Sequence, residues 1–238
     1  MLVAAAVCPC PPLLVPAVAA GAAPELDGLR AACVDAVGVL AAARPDRLVV
    51  VGPAGVSGQG PHPQGTPGSF RGLGADVDVR LGQGAPTGAR RLPQSLAVAA
   101  WLLERTGWAA APVEGLGVAE TLETGRALEA GRELLAGTGA ERVALLVMGD
   151  GSACRTLKAP GYLDERAEAF DAGAARALGA ADTAALAALD AGLASELKAA
   201  GRAPWQVLAG AGEGAGLTGA LLHDGAPYGV GYYVATWS

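Results

Sequence analysis

The chain has 238 residues, 52% hydrophobic and 17% charged, enough apolar side chain for a full core, which excludes a disordered, collagen-like or disulfide-stapled miniprotein. Lys plus Arg number 17 against 23 Asp plus Glu, a formal net charge of −6, so no basic field exists to hold a phosphate backbone and nucleic acid is not an expected partner. With 36 Gly and abundant Ala, the composition is biased, and runs of these residues are discounted as signals.

Leu2 to Val7 is a continuous apolar run closed by Pro9, the pattern of a strand buried on both faces. Residues 1–24 carry no charge, but the first basic residue is Arg30, and Pro9, Pro11, Pro12 and Pro16 interrupt any helical apolar segment, so no secretory leader is expected. No uncharged run elsewhere reaches the roughly 18 residues of a membrane span free of Gly or Pro. A soluble, cytoplasmic protein follows as the expectation. Its cysteines at 8, 10, 33 and 154 then indicate buried thiols or chemistry rather than disulfides.

Pro24-Glu25 opens a helix whose Leu26, Leu29, Cys33, Val37 and Leu40 recur at helical spacing until Arg44-Pro45. Arg47 to Val51 then forms a second buried strand ending at Gly52-Pro53, so strand, helix and strand make a parallel crossover unit. Residues 54–75, rich in Gly and Pro, read as one long loop of the kind that walls or covers an active site. Asp76 to Leu81 alternates as a half-exposed strand, helices follow over about 93–105 and 119–136, and Arg142 to Met148 is a third buried strand running into Gly149-Asp150-Gly151.

Asp164 to Leu178 reads as a helix, and Asp182-Thr183 caps another whose Leu186, Leu189, Leu193 and Leu197 form one stripe, for the core or for a homodimer. Trp205 to Ala209 leads into a glycine-rich loop at 210–216 holding Glu213, His223 sits in a turn, and Tyr228 to Trp237 closes the chain as an alternating strand. The fold class expected is therefore α/β, a single domain over 1–238 with an open, mostly parallel sheet, helices on both faces and an antiparallel C-terminal edge. Ligands of such sheets bind beyond the carboxyl ends of the strands, here Cys8 to Pro12, Gly52 to Ser57 and Gly149 to Cys154.

Among candidate groups, Cys10 lies past the first strand, where two thiols at 8 and 10 suit core filling or, as thiolates, a soft metal such as zinc or copper. His62, stiffened between Pro61 and Pro63, suits a ligand or general base as well as a plain surface position. Gly149-Asp150-Gly151-Ser152 offers free N–H groups, a carboxylate and a hydroxyl, although a turn alone explains its Gly and Asp. It is not a nucleophile elbow, because residue 154 is Cys, and the glycines at 210–216 lack the spacing of a dinucleotide fingerprint.

The chain resembles the LigB-like family of class III extradiol ring-cleavage dioxygenases, whose superfamily also holds the MEMO proteins. The likeness rests on Cys-Pro-Cys-Pro-Pro-Leu-Leu at 8–14, Val-Val-Val-Gly-Pro at 49–53, Met-Gly-Asp-Gly-Ser at 148–152 with the segment 159–166, and the closing segment 227–237. That resemblance implies iron(II) held by two His and one Glu, with a further His as acid and base, acting on a small aromatic diol or aminophenol. In this sequence Cys10 stands where the first metal His would be. His62 is the available second ligand, Glu213 the available carboxylate, and Ser152 and Cys154 occupy the loop of the acid/base His. Two functions follow as expectations: a metal-dependent extradiol dioxygenase with Cys10, His62 and Glu213 on the metal, or a catalytically degenerate relative that binds a metal, small aromatic molecule or partner.

Overall fold

In the computed structural model, residues 1–85 and 90–238 are described. The first apolar run forms β1 (Leu2–Cys8), and the chain then passes through a single-turn helix, α1 (Pro16–Ala19), into α2 (Asp27–Ala42). Buried Arg30 on α2 fixes this connection, donating to the carbonyls of Leu14 and Ala23 and pairing with Asp27. The predicted helix thus begins at Asp27 rather than at Pro24, which lies in a preceding 3-10 turn. Next come β2 (Arg47–Pro53), β3 (Gly60–His62), β4 (Pro67–Ser69), β5 (Asp78–Arg80), α3 (Gln94–Arg105), β6 (Val113–Val118) and α4 (Thr124–Leu135). The chain continues through β7 (Val143–Met148), α5 (Arg166–Gly179), α6 (Thr183–Ala187), α7 (Ala191–Glu196), α8 (Arg202–Gly212), β8 (Gly219–Gly225) and β9 (Tyr232–Trp237).

The main sheet has the order β3-β6-β2-β7-β1-β9-β8. Its four central strands are parallel, β3 closes one side antiparallel to β6, and β9 and β8 extend the other side antiparallel. This is the expected mostly parallel α/β sheet with an antiparallel C-terminal edge. Side chains alternate between two cores: Ala4, Ala6 and Cys8 of β1 with Leu146 and Met148 of β7 face α2 and α3, while Ala5, Val7, Leu145 and Val147 face α4, α5 and α8. Burial on both faces is why these strands read as unbroken apolar runs.

Several expectations are corrected. The long loop at 54–75 contains β3 and β4, and Pro61 is tolerated because β3 is an edge strand that leaves one side of its backbone unpaired. The strand at 76–81 is shortened to β5 and pairs only with β4, in a separate two-stranded sheet. The leucine stripe belongs to two short helices, the second capped by Asp190, whose carboxylate accepts from Leu193 N–H at 2.8 Å. Leu186 and Leu197 are fully buried in the chain's own core, which accounts for the stripe without a second copy of the chain. Gly210 to Gly212 are helical rather than loop, and His223 lies within β8 rather than in a turn.

Small residues set how closely α4 and α8 cross. A Cβ on Gly131 would lie 2.0 Å from the Val207 carbonyl oxygen, and one on Gly210 would lie 2.1 Å from that of Leu128. Gly131→Ala is therefore expected to cost about 1–3 kcal/mol by overpacking. Gly28→Ala, where nothing lies within 4 Å, should stabilise by about 0.4–1 kcal/mol through helix propensity. Thermal unfolding of both variants checks this, and an unchanged midpoint for Gly131→Ala would contradict the close crossing.

Candidate functional site at the carboxyl edge of the sheet

Parallel pairing sets Cys8 opposite Met148, so the segments that leave β1 and β7 emerge side by side. Gly149 N–H donates to the Cys8 carbonyl at 3.0 Å, and Cys10 N–H donates to Asp150 Oδ1 at 2.7 Å. The start of α8 reaches the same place, where Gly201 N–H donates to the Asp150 carbonyl at 2.8 Å. That approach requires glycine at 149, where a Cβ would lie 2.4 Å from the Gly201 Cα, and a Cβ on Gly201 would lie 2.3 Å from the Trp205 ring.

Burial pushes the Asp150 carboxyl up to about 7, with the negative charge of Glu120 adding to the effect and the Cys10 N–H opposing it. The Cys10 thiol is pushed up by burial and by the charges of Asp150 and Glu120, so it is held protonated. Tyr232, on the same face as Cys10, completes the group, its hydroxyl raised by burial and by Asp150. A carboxyl poised near neutrality beside a phenol and a thiol can accept or donate a proton to a bound molecule at physiological pH.

The three residues expected on a metal are not brought together. His62 is fully buried in β3, with Nε2–H donating to the Gly58 carbonyl at 2.7 Å and Nδ1 without a hydrogen-bond partner among the described residues. Burial lowers its basicity. Four strand spacings separate β3 from β1, roughly 19 Å at about 4.8 Å each, whereas ligand bonds to a metal are about 2 Å. Glu213 caps the far end of α8, where both of its oxygens accept from Arg132 at 2.8 Å on the surface, and that cation lowers its pKa. Because α8 starts beside Asp150 and runs roughly 16 Å, its end lies at the opposite edge of the sheet, near Trp237, the pairing partner of Ala5. Cys10, His62 and Glu213 therefore do not fit an iron(II), zinc or copper centre. Among the described residues, no cluster of three or more His, Cys, Asp or Glu is arranged to hold a metal ion.

The two residues expected as catalytic are committed to structural contacts. Ser152 is fully buried, its N–H and hydroxyl donating to the two oxygens of Asp171 at 2.8 and 2.7 Å, with Arg155 Nη1 on the same carboxylate at 3.3 Å. This network ties the turn to α5. Cys154 is buried among Phe170 and Leu197, its thiol raised by burial and 3.5 Å from the Leu197 carbonyl oxygen. Strand-end logic locates the Gly149–Ser152 turn, but there Asp150 looks like turn chemistry, and neither Glu120 nor Tyr232 stands out in the sequence. Only their distance in sequence from Cys10 hides them; Asp150 lies 140 positions away.

No protein-family profile and no curated protein matches the chain. Among solved structures it is similar to the uncharacterized protein JW3007 from Escherichia coli K12, with a TM-score of 0.59 and 13% identity over 99% of each chain. At that identity the likeness concerns the fold. No helix among the described residues is long and apolar enough to cross a membrane.

Asp150 yields a prediction with a definite sign. Its carboxyl titrates near about 3.9 when unfolded and at about 7 when folded, so its contribution to stability is intact below about pH 4 and is lost as pH rises through 7. Asp150→Asn keeps an acceptor for Cys10 N–H without the charge. Urea unfolding should show the variant gaining on the wild type by on the order of 1–3 kcal/mol between pH 5 and pH 8. A difference that does not change with pH would contradict the burial of this carboxyl.

Proposed function

We propose that the protein binds a small catechol- or aminophenol-type molecule beside Asp150 at the carboxyl edge of the sheet, as a relative of the extradiol dioxygenases that does not use the ring-cleaving iron centre. The observation that carries this reading is the convergence of Asp150, Cys10 and Tyr232 beyond β1 and β7, while Cys10, His62 and Glu213 lie at separate edges of the sheet. A sheet of this class places its ligands at that edge. The ionised Asp150 carboxylate accepts hydrogen bonds from adjacent hydroxyl or amino groups on a ring.

The cytoplasm is part of the proposal. All four cysteines are unbridged, as a reducing compartment keeps them.

Because the carboxylate form is the acceptor, affinity for catechol should rise roughly tenfold between pH 6 and pH 8 as Asp150 ionises, and Asp150→Asn should abolish that rise. Tryptophan fluorescence titration reads the affinity, and an oxygen electrode run on protein reconstituted with iron(II) reads turnover. Saturable binding without oxygen uptake is the expected result. Stoichiometric oxygen uptake with a yellow ring-opened product would overturn the reading in favour of ring cleavage, and absence of binding to catechol and aminophenol at both pH values would overturn it altogether.

A further inference from the structure

The β4–β5 hairpin is a sheet of its own, and its inner face rests on α3. Gly68 and Val79 are buried there, and a Cβ on Gly68 would lie 3.0 Å from Val79 Cγ2 and 3.2 Å from the Ala97 Cβ. Alternation along the strands turns their neighbours the other way, so the cross-strand pairs Pro67–Arg80 and Ser69–Asp78 make the outer face. The helix beneath starts at the carboxyl edge of the main sheet, where Ser95 Oγ donates to the Pro53 carbonyl at 2.6 Å. At about 1.5 Å per residue, Glu104 lies roughly 14 Å further along it, in the last turn. The hairpin therefore meets the far end of α3 rather than the Asp150 turn.

A cavity of about 710 Å³ lies over this outer face, with Ser69, Arg71, Asp78, Arg80, Arg91 and Glu104 as its polar walls. That volume is within the range of small-molecule sites. Each of its two carboxylates has one oxygen engaged by the protein: Asp78 Oδ2 accepts from Arg71 Nη2 at 2.7 Å, and Glu104 Oε1 accepts from the Arg80 backbone N–H at 2.8 Å. Arg71 is committed a second time, to Asp76 at 2.8 Å. The other two guanidiniums are not balanced in this way. That of Arg80 donates to the Gly84 carbonyl at 2.6 Å, that of Arg91 makes no hydrogen bond, and neither has a carboxylate partner among the described residues. Ser69 Oγ accepts from the Arg71 backbone N–H at 3.2 Å, which leaves the hydroxyl hydrogen for another acceptor.

Two guanidiniums lining one cavity without a counter-ion repel each other, and an anion between them relieves that repulsion. A carboxylate has two oxygens and fills one guanidinium fork. A phosphate monoester has three terminal oxygens and up to two negative charges, enough for two forks and a hydroxyl donor. The remaining polar walls have the opposite character, because Asp78 Oδ1 and Glu104 Oε2 are acceptors, and acceptors suit hydroxyl groups. A phosphorylated polyol is complementary to both parts.

We propose that this cavity binds a sugar phosphate, with the phosphate held by Arg80, Arg91 and the Ser69 hydroxyl and the sugar hydroxyls held by Asp78 and Glu104. The site shares no residue with the ligand-binding reading above and does not rest on it.

Isothermal titration calorimetry at low salt with three probes, ribose 5-phosphate, inorganic phosphate and ribose, tests the assignment. Ribose 5-phosphate should bind about tenfold or more tightly than either fragment, with an affinity that falls as salt is added. Arg91→Ala should weaken it by about five- to tenfold, and Arg91→Lys, which keeps the charge and loses the fork, by less. Arg91 is exposed, so neither change disturbs the core, and Arg126→Ala, which removes an exposed arginine of α4, should leave the affinity unchanged. No binding of ribose 5-phosphate, binding no tighter than that of inorganic phosphate, or equal weakening by Arg91→Ala and Arg126→Ala would overturn the inference.

Discussion

One hydrogen bond organises the functional edge of this protein: the 2.7 Å contact from the Cys10 backbone N–H to the Asp150 carboxylate. It joins the segments leaving the two central strands, β1 and β7, which the parallel register already delivers side by side. The same four-residue turn is held by Gly201 at the start of α8, by Gly231 before β9 and by Asp171 on α5. Each of these bonds removes freedom from the turn, so Asp150 is positioned by the fold rather than by its own rotamer preference. The energetic cost is a carboxylate held in a poorly solvated place, and its expression is a proton affinity near neutrality.

The geometry also accounts for why a metal reading of the sequence and a metal site in the structure part company. A facial triad needs three donors converging within about 2 Å of one point. Here two of the three expected donors are committed elsewhere by a local force. His62 follows β3 to the outer edge of the sheet and donates to Gly58, and Glu213 is drawn by the Arg132 cation at the end of α8. Cys10 alone stays at the carboxyl edge, where burial, together with the charges of Asp150 and Glu120, keeps its thiol protonated. Ser152 likewise gives its hydroxyl to Asp171, and Asp150, two residues earlier, accepts from the Cys10 N–H.

The central sheet was legible because its strands are buried on both faces. Leu2 to Val7, Arg47 to Val51 and Arg142 to Met148 are apolar throughout, and the stripes of α2, α3 and α5 repeat at helical spacing. Elements set by close backbone approach were not legible. In β6 two of six residues are Gly, and a Cβ on Gly117 would lie 2.1 Å from the Gly58 carbonyl oxygen, so the strand carries too little apolar side chain to be recognised. The last turn of α8 is hidden the same way, because Gly210 and Gly212 are demanded by Leu128 and Trp237 and resemble a loop. For the site, the turn after β7 could be located from strand-end logic. Which of its polar residues meets Cys10 and which meets Asp171 is set by tertiary contacts that no local pattern encodes.

The proposed role of the carboxyl edge depends most directly on the state of one carboxyl group. Carbon-detected NMR of protein labelled at the aspartate carboxyl carbons, with the Asp150 signal assigned by its loss in Asp150→Asn, follows that group through a pH titration. A midpoint at about 7 is the result expected from its burial against Cys10 and Glu120. A midpoint near about 4, the value of a solvated aspartate, would mean that Asp150 is open to water and would contradict the proposed role.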